Sequence, residues 1–174
     1  TDAAGQVETA SDATTQRAVP APMLGGDLQH TGVFESQGPR ELTGVKWQFK
    51  TGNWVVSSPT VVEGIAYFGS RDKSFYAVDV ETGQEVWRFE TGNQVRSSPA
   101  VHNGAVYFGS RDDNLYALDA TTGEEKWRFQ AGGNIDSSPA IASGVVYIGS
   151  DDMHLYAIDA ETGAEKWRFA TNDL

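Results

Sequence analysis

The chain contains no cysteine, which excludes a disulfide-stapled scaffold, a thiolate-ligated zinc or iron–sulfur site, and an enzyme with a cysteine nucleophile. Long hydrophobic runs are missing too. No stretch reaches the roughly 18 apolar residues that a membrane-crossing helix needs, so no membrane span is expected. Positive charge is scarce, with 13 Lys and Arg against 24 Asp and Glu and a formal charge of −11 over 174 residues. A surface this acidic repels a polyanion, so nucleic acid is not an expected partner. Common catalytic patterns are absent as well: there is no G-x-S-x-G, no H-E-x-x-H and no G-x-G-x-x-G. His30, His102 and His154 fall at unrelated positions, which argues against a His-based metal or nucleophile cluster. What the chain does hold is 39% hydrophobic and 11% aromatic residues with 19 glycines, enough for one packed domain with many tight turns.

Residues 1–21 (TDAAGQVETASDATTQRAVPA) are rich in Ala, Thr, Asp and Gln, lack aromatics and show no apolar face. Such a composition reads as a disordered leader or tether. The first residue is Thr1 and no hydrophobic signal core follows it, so the sequence reads as a processed mature form or an excerpt. Residues 22–46 form a lead-in segment with a lone outer strand, and residues 47–174 carry the repeats.

From Trp47 onward the sequence repeats with a period of 40. Ser57-Ser58-Pro59 recurs at Ser97 and Ser137, Tyr67 at Tyr107 and Tyr147, Tyr76-Ala77 at Tyr116 and Tyr156, and Trp47 at Trp87, Trp127 and Trp167. Each unit reads as four short strands. In the second unit they are expected at about Val95 to Val101, Ala105 to Gly109, Asn114 to Asp119, and Glu125 to Phe129. Asn103-Gly104 is a strong hairpin signal, because both residues tolerate positive φ. Pro59, Pro99 and Pro139 confine the first strand to an edge, and Arg88, Arg128 and Arg168 protect the other edge from pairing with strangers. Four strands in 40 residues define an all-β fold, a β-propeller of four-stranded antiparallel blades. Three complete blades are present, plus a lone N-terminal strand.

Within each unit Ala77-x-Asp79-x-x-Thr82-Gly83-x-Glu85-x-Trp87 recurs from Ala117 through Gly123 to Trp127, and from Ala157 through Gly163 to Trp167. This resembles the tryptophan-docking motif of PQQ-like (pyrroloquinoline quinone) repeat propellers, over roughly residues 45 to 170. The stretch Met23 to Gly32 is similar to the lead-in of such propellers. The resemblance implies that Trp87, Trp127 and Trp167 staple successive blades. Physically, the small Ala and Gly leave a flat patch on which an indole can lie, burying about 150–250 Å². Asp79, Asp119 and Asp159 are expected to close a turn on their own backbone.

Propellers use about four to eight blades. Three units cannot close a ring, so the chain is expected to be the N-terminal part of a longer exported propeller, or one of several copies that assemble head to tail and close the ring by rotation. Trp47 sits on a lone fourth strand (Gly44 to Phe49), which in the family completes the last blade as a latch, yet the last blade here carries its own. An open arc leaves blade faces bare, so self-association is expected.

Strand direction divides the loops into two faces. The link entering the first strand and the link between the second and third share one of them, and there the repeat loses its regularity. Equivalent positions read Trp54, Gln94 and Asn134; Val56, Arg96 and Asp136; Arg71, Arg111 and Asp151; Lys73, Asp113 and Met153. Varied side chains on a rigid scaffold suit recognition. Trp54 is a candidate stacking platform, Arg96 with Asp136 a candidate pair across blades, and Arg71 with Arg111 a candidate anion clamp.

The quinoprotein branch of the family implies PQQ held between a Trp and a vicinal Cys-Cys disulfide, with calcium and a catalytic Asp. No cysteine exists here and no other contact can be placed, so no cofactor, metal or catalytic residue is expected. The chain is also similar to the branch of propeller lipoproteins of the outer-membrane β-barrel assembly machinery. That resemblance implies a protein-binding scaffold in the periplasm or cell envelope, tethered by its N-terminal segment. A propeller that binds a small molecule or carbohydrate, and a fragment of a PQQ-dependent dehydrogenase, are the alternatives.

Overall fold

A computed structural model describes residues 44–171. The leader and residues 22–43 of the lead-in, with their expectations, lie outside these residues. Among the described residues twelve strands, with no helix, form three separate four-stranded antiparallel sheets. The first holds β1 (Thr60–Val62), β2 (Ile65–Gly69), β3 (Ser74–Asp79) and β4 (Glu85–Glu90). The second holds β5 (Ala100–His102), β6 (Ala105–Gly109), β7 (Asn114–Asp119) and β8 (Glu125–Gln130). The third holds β9 (Ala140–Ala142), β10 (Val145–Ser150), β11 (His154–Asp159) and β12 (Glu165–Ala170). Each is a meander in chain order. The described residues form a partial β-propeller of three blades.

The first strand of each blade is shorter than the sequence suggests. β5 begins at Ala100 rather than near Val95. Proline at position 99 lacks the N–H that a ladder requires, and serine side chains replace part of the missing pairing. Gly69 N–H donates to Ser57 Oγ at 3.0 Å and Gly149 N–H to Ser137 Oγ at 2.9 Å. The second serine of each Ser-Ser-Pro joins neighbouring blades: Ser58 N–H donates to Ser98 Oγ at 2.8 Å, and Ser98 N–H to Ser138 Oγ at 3.0 Å. The β1–β2 and β5–β6 turns follow their left-handed requirement, with φ of 50° at Glu63 and 48° at Asn103.

The core lies between blades rather than within one. Phe75 of the first blade stacks on Phe108 of the second with ring centroids 3.9 Å apart and planes inclined by 4°. Trp87 and Val95 join that layer, while Leu115, Ile135, Ile148 and Ile158 build the next one between the second and third blades. One residue of β4 is extra relative to β3, because Ala77 faces Trp87 but Val78 faces Glu85. That bulge leaves Val86 outside the ladder and aims Trp87 towards the following blade. Ala77 is thus the cross-strand partner of Trp87 in its own sheet, and the glycine beneath the ring comes from the neighbour. A Cβ at Gly123 would lie 2.6 Å from Trp87 Cδ2, and one at Gly163 2.7 Å from Trp127 Cδ2.

Indole N–H groups complete the joints. Trp87 donates to Ala120 O and Trp127 to Ala160 O, both at 3.1 Å. Tyr67 and Tyr107 hydroxyls donate to the same two carbonyls at 3.0 and 3.1 Å. Residues 44–50 do not form the expected lone strand, because among the described residues no neighbouring strand lies beside them to pair with. Their side chains still take the place of a preceding blade's: Trp47 donates to Val80 O at 2.7 Å, and Phe49 meets Tyr76 edge-on at 5.4 Å. At the other end Trp167 is 46% and Phe169 63% exposed.

Candidate functional site

Backbone hydrogen bonds put the link entering each blade and the link between its second and third strands on one face. Arg71 N–H donates to Trp54 O, Arg111 N–H to Gln94 O and Asp151 N–H to Asn134 O, each at 2.9 Å. An aspartate that sequence reasoning passed over holds each loop pair in place. Asp72 Oδ2 accepts from Gly52 N–H at 2.7 Å and from Tyr76 Oη at 2.9 Å, while Oδ1 accepts from Ser74 N–H at 3.0 Å. Asp112 and Asp152 repeat the arrangement with Gly92 and Tyr116, and with Gly132 and Tyr156. The signal was available as Asp four residues before Tyr at every repeat.

Burial alone would raise the Asp72 and Asp152 carboxyl pKa values. Hydrogen bonds from Tyr76 or Tyr156 and from backbone N–H groups outweigh it, so both lie below the usual 3.8. Asp79 and Asp119, through the N–H groups of Thr82 and Thr122, and Asp159, through Lys166, are lowered as well. A carboxylate whose pKa is lower in the folded than in the unfolded chain contributes stability fully present above its unfolded value. That stability is lost as pH falls through the folded value. The urea midpoint is therefore expected to hold from about pH 7 to about pH 5 and to drop below about pH 4. The double variant Asp72→Asn, Asp152→Asn should start lower at neutral pH and show a shallower acid limb. An acid limb as steep as that of the parent chain would contradict this assignment.

The turn aspartates bond their own backbone, as when Asp79 Oδ1 accepts from Thr82 N–H at 2.8 Å.

Across the face the irregular side chains form one connected group. Arg71 Nε donates to Gln94 Oε1 at 3.1 Å, and Arg96 donates to that same oxygen from Nε at 3.1 Å and from Nη2 at 2.9 Å. Arg96 Nη1 lies 3.7 Å from Asp136 Oδ2, so the pair across blades exists but is loose. The tight partner of Asp136 is Arg111, whose Nε and Nη2 bind the two carboxylate oxygens at 2.9–3.1 Å. The Arg111 fork therefore faces Asp136 and not a site shared with Arg71. Asn134 Nδ2 donates to Asp151 Oδ2 at 3.0 Å. Trp54 is 71% exposed, with the Arg71 guanidinium 5.2 Å from its ring centroid. Val56 is 51% exposed beside it. Lys73, Asp113 and Met153 occupy the left-handed position of the β2–β3, β6–β7 and β10–β11 turns, with φ of 73°, 69° and 66°.

A cavity of about 570 Å³ opens on the opposite face between the second and third blades, lined by His102, Tyr107, Lys126, Asp159 and Lys166 among others. Its lysines are already paired, Lys126 with Asp119 at 3.4 Å and Lys166 with Asp159 at 2.8 Å. His154 contacts Asp152 on the other face, so the two histidines stay apart.

Blades joined by an indole lying on the glycine of the next sheet define a tryptophan-docked propeller. The family model described as outer membrane protein assembly factor BamB matches residues 43–98 and 72–173. The chain belongs to that family of PQQ-like repeat propellers. Among curated proteins none matches the chain.

Solved structures share the fold. Quinohemoprotein alcohol dehydrogenase ADHIIG from Pseudomonas putida HK5 is 29% identical with a TM-score of 0.65, over 73% of this chain and 22% of its own. The quinohemoprotein alcohol dehydrogenase from Comamonas testosteroni is 31% identical with a TM-score of 0.61, over 68% and 21%. BamB from Moraxella catarrhalis is 21% identical with a TM-score of 0.65, over 75% and 41%. The chain thus spans between about a fifth and two fifths of the length of these structures.

The chain has no cysteine, and among the described residues no group of three or more His, Cys, Asp or Glu is placed to hold a metal ion. Among the described residues no helix is long and apolar enough to cross a membrane.

Proposed function

We propose that the chain is part of a non-catalytic, extracytoplasmic propeller scaffold that binds a protein partner through the face carrying Trp54, Gln94, Arg96 and Asp136. The observation that carries this reading is a contrast within the repeat. Joints between blades recur almost atom for atom, whereas the loops of one face change side chain from blade to blade at Trp54, Gln94 and Asn134 and at Val56, Arg96 and Asp136. Those side chains touch one another across blade boundaries, so rigid sheets hold them in fixed relation, as a recognition surface requires. Trp54, a large exposed aromatic, is the type of residue that anchors protein interfaces. The family's description as an outer membrane protein assembly factor agrees with a partner-binding role outside the cytoplasm. A fragment of a PQQ-dependent dehydrogenase is the second reading, favoured by 29% and 31% identity to two such enzymes and opposed by the residues the cofactor would need.

The test is capture of partners from a cell-envelope extract by the tagged chain and by its Trp54→Ala, Arg96→Ala double variant. The expected result is a specific protein retained by the parent chain and lost by a variant whose circular dichroism is unchanged. Equal capture by both would remove the face from the proposal.

A further inference from the structure

We propose that the Trp54 end of this face receives an acidic peptide segment, its carboxylates held by Arg71 and Arg96 and a neighbouring aromatic or apolar side chain lying on Trp54. The inference rests on the scaffold reading and names the chemistry of the partner. Two guanidinium groups converge on one neutral acceptor, Gln94 Oε1, at 2.9–3.1 Å. Like charges brought together this way repel unless an anion compensates them. Compensation within the chain is partial: Arg96 reaches Asp136 only at 3.7 Å, because that carboxylate is gripped by Arg111, and Asp151 is engaged by Asn134, so among the described residues no carboxylate is paired with Arg71. Asp72, next to Arg71 in sequence, has its carboxylate engaged by Gly52, Ser74 and Tyr76.

Of the five N–H donors a guanidinium carries, Arg71 commits only Nε to an acceptor among the described residues. Its remaining donors suit a forked carboxylate contact. The protein's charge of −11 opposes any acidic ligand at long range. Beyond a Debye length of about 8–10 Å that repulsion is screened, whereas a carboxylate touching Arg71 and Arg96 is not. Local convergence therefore decides the sign of the interaction.

The probes are the acetylated, amidated peptides EEFEE, QQFQQ and KKFKK, titrated into the whole chain while the Trp54 indole and arginine Nε–H resonances are followed. EEFEE is expected to give saturable shifts at Trp54, Arg71 and Arg96 that weaken with added salt, with no such shifts from the other two. Arg71→Ala and Arg96→Ala should each weaken binding about tenfold or more. Arg88→Ala, which changes net charge equally at an exposed outer-strand site, should leave it unchanged. Equal binding of QQFQQ, equal loss in Arg88→Ala, or no saturable shift with EEFEE would overturn the proposal. So would saturation by free glutamate or inorganic phosphate as tight as that by EEFEE, which would mark a small-anion site. If EEFEE fails while capture of a protein still depends on Trp54 and Arg96, the acidic ligand falls and the scaffold reading stands.

Discussion

Replacing Trp87 by Ala is expected to lower folding stability by about 3–5 kcal/mol, whereas Trp167→Ala removes only a small fraction of that. The Trp87 ring is 9% exposed, lies on the Gly123 backbone, and has Tyr67 and Phe75 with ring centroids 5.9 and 6.1 Å away. Fully burying such a ring removes about 150–250 Å² from water, an upper bound of about 4–6 kcal/mol at about 25 cal/mol/Å². Its N–H bond to Ala120 O adds roughly 1 kcal/mol, and truncation leaves a slot that rigid sheets cannot collapse to fill. Trp167 has the same sequence context but is 46% exposed, with Tyr147 as its aromatic neighbour at 5.9 Å and no hydrogen-bond acceptor among the described residues. Urea midpoints of the two variants measure the difference. Equal losses would mean that Trp167 is covered in solution, as it would be if copies associate through the third blade.

That contrast also shows what the sequence makes legible. Blade architecture, period and strand order follow from spacings between identical residues, because every joint is built from local chemistry repeated in register. Gly83, Gly123 and Gly163 announce where an indole must lie. Asp72, Asp112 and Asp152 escape notice because an aspartate in a polar turn reads as solvated, and their role appears only when Gly52, Gly92 and Gly132 approach from 20 residues earlier. The candidate face is legible as a place, since its positions vary where all else repeats. Its pairings are not. Arg111 reaches Asp136 in the next blade while Arg71, its equivalent, reaches Gln94. Which partner each arginine finds depends on the residue the neighbouring blade offers, and spacing alone does not encode reach across a blade boundary.

The second large effect is expected at Gly109. A Cβ there would overlap the Ile135 side chain and lie 2.7 Å from the Ile135 carbonyl oxygen. Ile135 is fully buried and its N–H donates to Ser110 O at 3.0 Å, so the obstructing backbone is tied to the same blade and cannot yield. Gly109→Ala must therefore wedge the second and third blades apart, at a cost of about 1–3 kcal/mol or more. Gly149 occupies the identical repeat position, but its nearest obstacle is Ser137 Oγ at 3.5 Å, an ordinary contact. Gly149→Ala is expected within about 0.5 kcal/mol of the parent chain. Similar costs for the two variants in a thermal or urea melt would refute the close approach at Ile135. The wedge also reaches the candidate face, because Ile135 lies between Asn134 and Asp136 in the chain. Moving it displaces the carboxylate that Arg111 grips at 2.9 Å. Gly109→Ala should accordingly weaken partner capture at temperatures where the variant is still folded, and Gly149→Ala should not. A buried glycine with no surface of its own would then govern recognition by setting the distance between two sheets.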